Sequence, residues 1–185
     1  MNLLVAGLGL FVAVHLIPCV PPLRAALVAH LGEMPYRAAF ALLALAGLVM
    51  AGWGFSEAPF EPVYEPLGWG RQAAWIAVPV ALVLFAAANL PTHLRTVLRH
   101  PMLLGLLLWA LAHLAATGDL RSVVFFGGFA GYAVLAIVGA VAHGKQPAAG
   151  KTPRLAMDAA AVLGGLVAAG LLMGFHAALF GVPAM

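Results

Sequence analysis

The sequence predicts an all-α fold, a polytopic transmembrane helical bundle of about six spans. Three observations lead there. Apolar residues make up 64% of the 185 and charged residues only 8%, whereas about a quarter of a soluble domain is charged. The apolar residues fall in stretches close to the roughly 20 that cross a hydrocarbon slab. Lys and Arg concentrate in alternate connectors between those stretches. The mean hydropathy of +1.05 agrees.

The elements follow in order. A first span near residues 2–20 carries His15, Pro18 and Cys19. No basic stretch precedes its apolar run and no small-x-small site follows, so it reads as a span rather than a secretory signal. Pro21 and Pro22 break it, and residues 23–31 read as a short amphipathic helix with Arg24 and His30 as its polar residues. The second span lies near 35–55, with Pro35 at a suitable first helical position. A Pro-rich loop, 56–70, follows, and its aromatics suit an interfacial belt. The third span, near 71–90, closes at Pro91. A connector with His93, Arg95, Arg99 and His100 leads to the fourth span, near 101–117, ended by Gly118-Asp119. The fifth lies near 120–143. A polar Gly/Pro/Lys loop separates it from the sixth, near 155–180. There is no repeat and no soluble domain, so residues 1–185 form one integral membrane domain. Gly127/Gly131, Gly164/Ala168 and Gly170/Gly174 are small-xxx-small pairs that admit close helix approach.

Nine Lys+Arg stand against six Asp+Glu. The basic residues fall singly in short loops, a pattern of membrane orientation and not of nucleic-acid binding. The connectors after spans one, three and five hold Arg24, Arg37, Arg95, Arg99, Lys145, Lys151 and Arg154. The opposite side holds Arg71 and Arg121 beside Glu57, Glu61, Glu65 and Asp119. Both termini are therefore expected away from the cytoplasm.

Cys19 is the only cysteine, which excludes a disulfide framework and a Cys-rich metal site. The motif for covalent c-type haem is absent. No Ser-His-Asp or Cys-His arrangement, phosphate-binding Gly loop or embedded carboxylate pair is present, so hydrolysis and phosphoryl transfer have no support.

The histidines carry the chemistry. At 1.5 Å per residue, His15 lies roughly 20 Å in from the start of span one, and His113 about 18 Å in from the start of span four. Both are inside the slab, placed to meet near its middle. An ionisable group there is costly and is usually paired, hydrated or ligated. Phe11 precedes His15 by one turn and Gly7 by two. Trp109 precedes His113 by one turn, among Ala110, Ala112 and Ala116. Small and aromatic neighbours suit a planar macrocycle. Each ring either bonds a backbone carbonyl on a neighbouring helix or ligates a metal. Two deep imidazoles on separate helices, without carboxylate or cysteine pairs, fit bis-histidine haem better than tetrahedral zinc. His176 is embedded nearer the outer face, as a third donor or a packed histidine. His30, His93, His100 and His143 fall at the interface. Cys19, one turn from His15, is a soft ligand or simple packing. Arg99 is placed either to hold an anionic group, such as a propionate or a nucleotide cofactor, or to anchor a lipid headgroup. Asn89 is placed to bond a neighbouring helix or line a pocket. Asp119 and Arg121 are placed to cap and pair locally, and an exposed pair of that kind contributes little. Asp158 suits the dipole of the sixth span's first turn.

Three stretches resemble the NnrU family, which includes 15-cis-zeta-carotene isomerase: "HLIPCVPPLRAALVAHLGEMPYRAAFALLAL" from His15, "LRHPMLLGLLLWALAHLAATGD" across span four, and "FFGGFAGY" after it. The resemblance implies an integral protein of the bacterial inner membrane that binds haem b non-covalently through two histidines, here matched by His15 and His113. Trp109, Arg99 and His100 are the accompanying cofactor-binding candidates, His100 through the shared Arg-His-Pro run. The family's bacterial branch implies redox or nitrogen-oxide, denitrification-linked physiology, with a small gaseous ligand or a hydrophobic polyene as candidate partners beside the lipid bilayer. The isomerase branch implies cis–trans isomerisation of a polyene. This chain departs from that branch: Ala110 replaces a cysteine, Ser56 a histidine, and Gly131-Tyr132 a His-His pair. Haem binding therefore carries over better than isomerisation. The Arg-His-Pro-x-x-x-Gly run also resembles the S-adenosylmethionine motif of membrane methyltransferases. That motif needs a downstream acid, and Asp119 is the only carboxylate between Gly105 and Lys145.

Overall fold

The computed structural model describes residues 1–144, 152–182 and 184. Its elements are α1 (Asn2–Leu16), a 3-10 turn (Ile17–Cys19), α2 (Pro21–Leu31), α3 (Glu33–Glu57), α4 (Gly70–Asn89), α5 (His93–Leu98), α6 (Pro101–Ala116), α7 (Leu120–Ala142), α8 (Leu155–Gly174) and α9 (His176–Phe180). Five segments are long and apolar enough to cross a bilayer: Asn2–Cys19, α3, α4, α7 and α8. The sixth, α6, is apolar but has 16 residues, about 24 Å at 1.5 Å per residue. The expected all-α bundle is present.

Local chemistry sets the boundaries. Pro18 has no N–H to give the Val14 carbonyl, which takes the Ile17 N–H instead, so α1 tightens into the 3-10 turn. Gly32, at φ 85°, turns α2 into α3, which begins before the expected Pro35. The connector after Pro91 contains a short helix, α5. Thr92 caps it: its Oγ1 accepts from the Arg95 N–H at 3.1 Å and donates to the Ala87 carbonyl at 3.1 Å. The expected sixth span, 155–180, ends early at Gly174, and a separate short helix starts at His176. Lys145 and Lys151 of the basic connector lie outside the described residues.

The helices pack in an arc in the order α3, α1, α7, α6, α4, α8. Successive spans pack together at α1/α3, α4/α6 and α6/α7, whereas α3/α4 and α7/α8 are separated in the arc. The interior is built of small residues. Ala51, Ala81, Ala110, Ala133 and Ala161 are fully buried, while Leu42, Ile76 and Leu155 are 68%, 72% and 79% exposed. Many large apolar side chains point outward and alanines line much of the interior, with Leu4, Leu8, Phe126 and Phe129 among the large buried exceptions.

The glycines that permit close approach are not those expected. Gly127, Gly131, Gly164, Gly170 and Gly174 all face open space. The contacts between α1 and α3 run through Gly7 against Met50 and Ala51, Gly47 against Phe11, and Gly54 against Leu3 and Leu4, where a Cβ has no room. On α8 the packing face is Ala161, Gly165 and Ala169, one position on from Gly164 and Ala168. Spacing alone finds the period of a small-residue face but not its phase.

Candidate functional site

The α1–α7–α6 side of the arc holds an aromatic cluster built on Leu4, Leu8, Ala51, Ala110, Phe126, Phe129 and Ala130. His15 and His113 sit at opposite ends of it. His15 is the penultimate residue of α1. Its ring stacks on Phe11 at 3.9 Å and meets Phe40 at 5.0 Å and Tyr132 at 5.6 Å, edge to face. His113 lies three residues before the end of α6. Its ring stacks on Phe126 at 4.5 Å and meets Trp109 at 5.0 Å.

Each ring is anchored by its own helix, not by a neighbouring one. The Nδ1 of His15 lies 2.8 Å from the Phe11 carbonyl, and that of His113 lies 2.8 Å from the Trp109 carbonyl. A carbonyl only accepts, so each Nδ1 carries the proton. In the neutral ring Nε2 then presents a lone pair. This is the arrangement in which a metal-ligating histidine is held.

The two rings do not meet at mid-depth. Tyr132, beside His15, and Phe126, beside His113, are six residues and so about 9 Å apart along α7. The space between is packed with rings: Phe129 touches Phe11 at 5.2 Å and Trp109 at 5.7 Å. The reason is directional. α1 and α6 run antiparallel, and each carries its histidine near its C-terminal end.

Trp109 is brought to His113 as expected. Arg99 and His100 are not, because they stand at the other end of α6. Gly105 of the same run packs α6 on α4, where an added Cβ would lie 2.9 Å from the Ala81 carbonyl oxygen. Asp119 caps the start of α7, a full helix length from Arg99, so it gives that motif no acidic partner. His176 opens α9, with Nδ1 2.6 Å from the Val182 carbonyl, and lies within electrostatic reach of His113. Cys19 points its Sγ at the His15 carbonyl at 3.8 Å. Asn89 bonds the Phe85 carbonyl of its own helix. No group of three or more His, Cys, Asp or Glu is arranged to hold a metal among the described residues.

Two features escaped the sequence reading. Asp119 is 4% exposed, not at the surface. Its carboxylate accepts from the Ser122 hydroxyl at 2.6 Å, the Ser122 N–H at 3.2 Å and Arg121 Nε at 3.2 Å. Arg121 also donates to the Ala58 carbonyl and lies over Phe55 and Phe60. The loop 58–69 is strapped to this corner: Val63 N–H donates to Gly118 at 2.8 Å, Leu120 N–H to Glu61 at 2.8 Å, and the Tyr64 hydroxyl to the Leu114 carbonyl. The loop thus covers the end of α6 that carries His113. Burial, and then the charge of Asp119, push the Tyr64 hydroxyl above its ordinary pKa. The Asp-x-x-Ser cap was visible in the sequence, but nothing there marked it as buried.

A family model described as NnrU protein matches residues 3–184. No curated protein and no solved structure matches the chain.

Proposed function

The chain belongs to the NnrU family, and from that premise we propose that it is a multi-pass membrane protein holding haem b in redox or nitrogen-oxide physiology. His15 and His113 are the proposed donors. The observation that carries the reading is the pair of anchored imidazoles, each with Nδ1 committed to its helix and Nε2 left as a lone pair. The aromatic faces of Phe11, Phe126, Phe129 and Trp109 around them support it, because flat apolar rings solvate a porphyrin. When bound, haem iron supplies one-electron chemistry and a coordination position that a small gas can contest. The protein's part is to fix the imidazoles, exclude water with the α6–α7 corner, and keep the site apolar. Both rings reach one iron only if Phe129 and its neighbours part, so loading must rearrange the aromatic layer between them. The proposed setting is a bacterial inner membrane, with both termini on the side away from the cytoplasm and the arginine-rich end facing it.

His176, which follows α8 at the end of the bundle that carries His113, offers a competing second donor, and one experiment separates the two. The protein is purified from haem-replete membranes and its oxidised and reduced spectra are recorded. Red protein with the bands of six-coordinate low-spin iron is expected. His15→Ala and His113→Ala should each convert or abolish those bands, while His176→Ala leaves them intact. If His176→Ala removes them and His15→Ala does not, the second ligand is His176. Colourless protein at full haem supply overturns the reading. Trp109 emission gives an independent readout, since haem beside it should quench the component missing from Trp109→Phe.

A further inference from the structure

At the arginine-rich end, the chain passes from α5 to α6 through two residues, Arg99 and His100, and turns at Arg99. Its φ of 59° and ψ of −44°, with the His100 N–H donating to the Leu98 carbonyl at 2.6 Å across it, form the strained γ-turn of positive φ. Arg99 is the one non-glycine residue with positive φ among those described. Glycine takes such a conformation freely and arginine does not. A strained residue of this kind persists where the surrounding structure over-determines it, and such residues cluster at binding sites.

The turn brings Arg99 and His100 to the mouth of a cavity of about 220 Å³ between α6 and α7. Leu104, Ile137, Ala140 and Val141 form its apolar walls, and no acidic residue lines it. Among the described residues, neither the Arg99 nor the His100 side chain has a hydrogen bond or ion pair. The carboxylates of the same end are engaged elsewhere: Glu33 holds Arg24 and Arg37, and Asp158 holds His93. The cavity therefore sets one cationic side chain beside apolar walls. It is smaller than the roughly 300–1,000 Å³ of pockets for drug-sized ligands. A whole nucleotide cofactor or porphyrin does not fit, but a compact head and the start of one chain do.

We propose that this cavity seats a phosphate group carrying an apolar chain, an anionic phospholipid held between α6 and α7. The guanidinium fork matches phosphate oxygens in geometry as well as charge. Basic pockets between membrane helices hold anionic headgroups in the same way. The site is separate from the imidazoles of the proposed haem site and does not depend on them.

The test uses the full-length protein in neutral detergent, with phosphatidic acid, phosphatidylcholine and inorganic phosphate as probes. Native mass spectrometry and thermal shift are the readouts. Phosphatidic acid should be retained and should raise the melting temperature. Phosphatidylcholine and inorganic phosphate should do neither. Arg99→Gly removes the guanidinium and relaxes the turn, so the lipid-free variant should melt no lower than the parent and bind phosphatidic acid about tenfold more weakly. Val141→Glu, which places a negative charge in the apolar wall of the cavity, should also lose retention. Equal binding of the two lipids, an equal shift with inorganic phosphate, or full retention by Arg99→Gly overturns the proposal. So does a lipid-free Arg99→Gly that melts below the parent, because the arginine then serves the fold alone.

Discussion

At the scale of single residues, the fold satisfies the buried Asp119 carboxylate fully, while the buried Tyr36 hydroxyl has no hydrogen-bond partner among the described residues. Asp119 is read from sequence as a surface partner of Arg121, yet it is buried and collects the Ser122 hydroxyl, the Ser122 N–H and Arg121 Nε. Removing it strips a helix cap and leaves the arginine unpaired. Asp119→Ala is expected to destabilise the protein by roughly 2 kcal/mol, measured by denaturant titration in mild detergent, and an unchanged midpoint refutes that role. Tyr64, whose hydroxyl donates to the Leu114 carbonyl, makes a pH prediction. Its folded pKa is raised, so the stability it contributes is present below the unfolded value of about 10 and lost as pH rises through the folded one. Tyr64→Phe should cost about 1 kcal/mol at neutral pH and blunt the alkaline fall in melting temperature. A fall of the same steepness in the variant places the sensitive group elsewhere.

Among elements, the arc α3–α1–α7–α6–α4–α8 depends on backbones approaching closely at a few glycines. Gly165 of α8 packs on Val83, and an added Cβ would lie 2.5 Å from the Val83 Cα, whereas Gly164 faces open space. Gly165→Leu should separate α8 from α4 and cost roughly 1–3 kcal/mol through overpacking. Gly164→Leu should be close to neutral. Limited proteolysis between α7 and α8 in the two variants is the check, and equal susceptibility rejects the assigned face. The same lesson explains α5 and the early end of α8. Thr92 caps α5 within a polar connector and Gly174 ends α8 within apolar sequence, and at neither place does hydropathy mark the boundary.

For the whole molecule, charge and apolar surface are segregated in one direction. Arg24, Arg37, Arg95, Arg99 and Arg154 belong to the connectors at one end, while Asp119 and the 58–69 loop close the other. A reporter fused to the C-terminus should therefore behave as non-cytoplasmic, with phosphatase active and fluorescent protein dark, and the reverse should hold for one inserted between α7 and α8. The opposite pattern inverts the orientation. The exposed Leu, Ile and Val side chains around the arc are the belt that lipid solvates, and the alanine interior gives little apolar burial of its own. Close packing and a few satisfied polar corners hold the bundle, so single substitutions at those corners should matter more than their number implies.

The sequence by itself determined that this chain is a helical membrane protein, roughly where each span lies, which family it resembles, and that His15 and His113 are embedded imidazoles. Hydropathy and proline placement suffice for that, because backbone satisfaction in hydrocarbon leaves a helix as the form available to an apolar stretch of that length. Only the tertiary structure decided the order of helices in the arc, which glycines touch, and that Asp119 is buried. It also set the two imidazoles at different depths, with Phe129 between them. Those depend on the phase and direction of helices against one another, and a linear pattern records the period of a face without its partner.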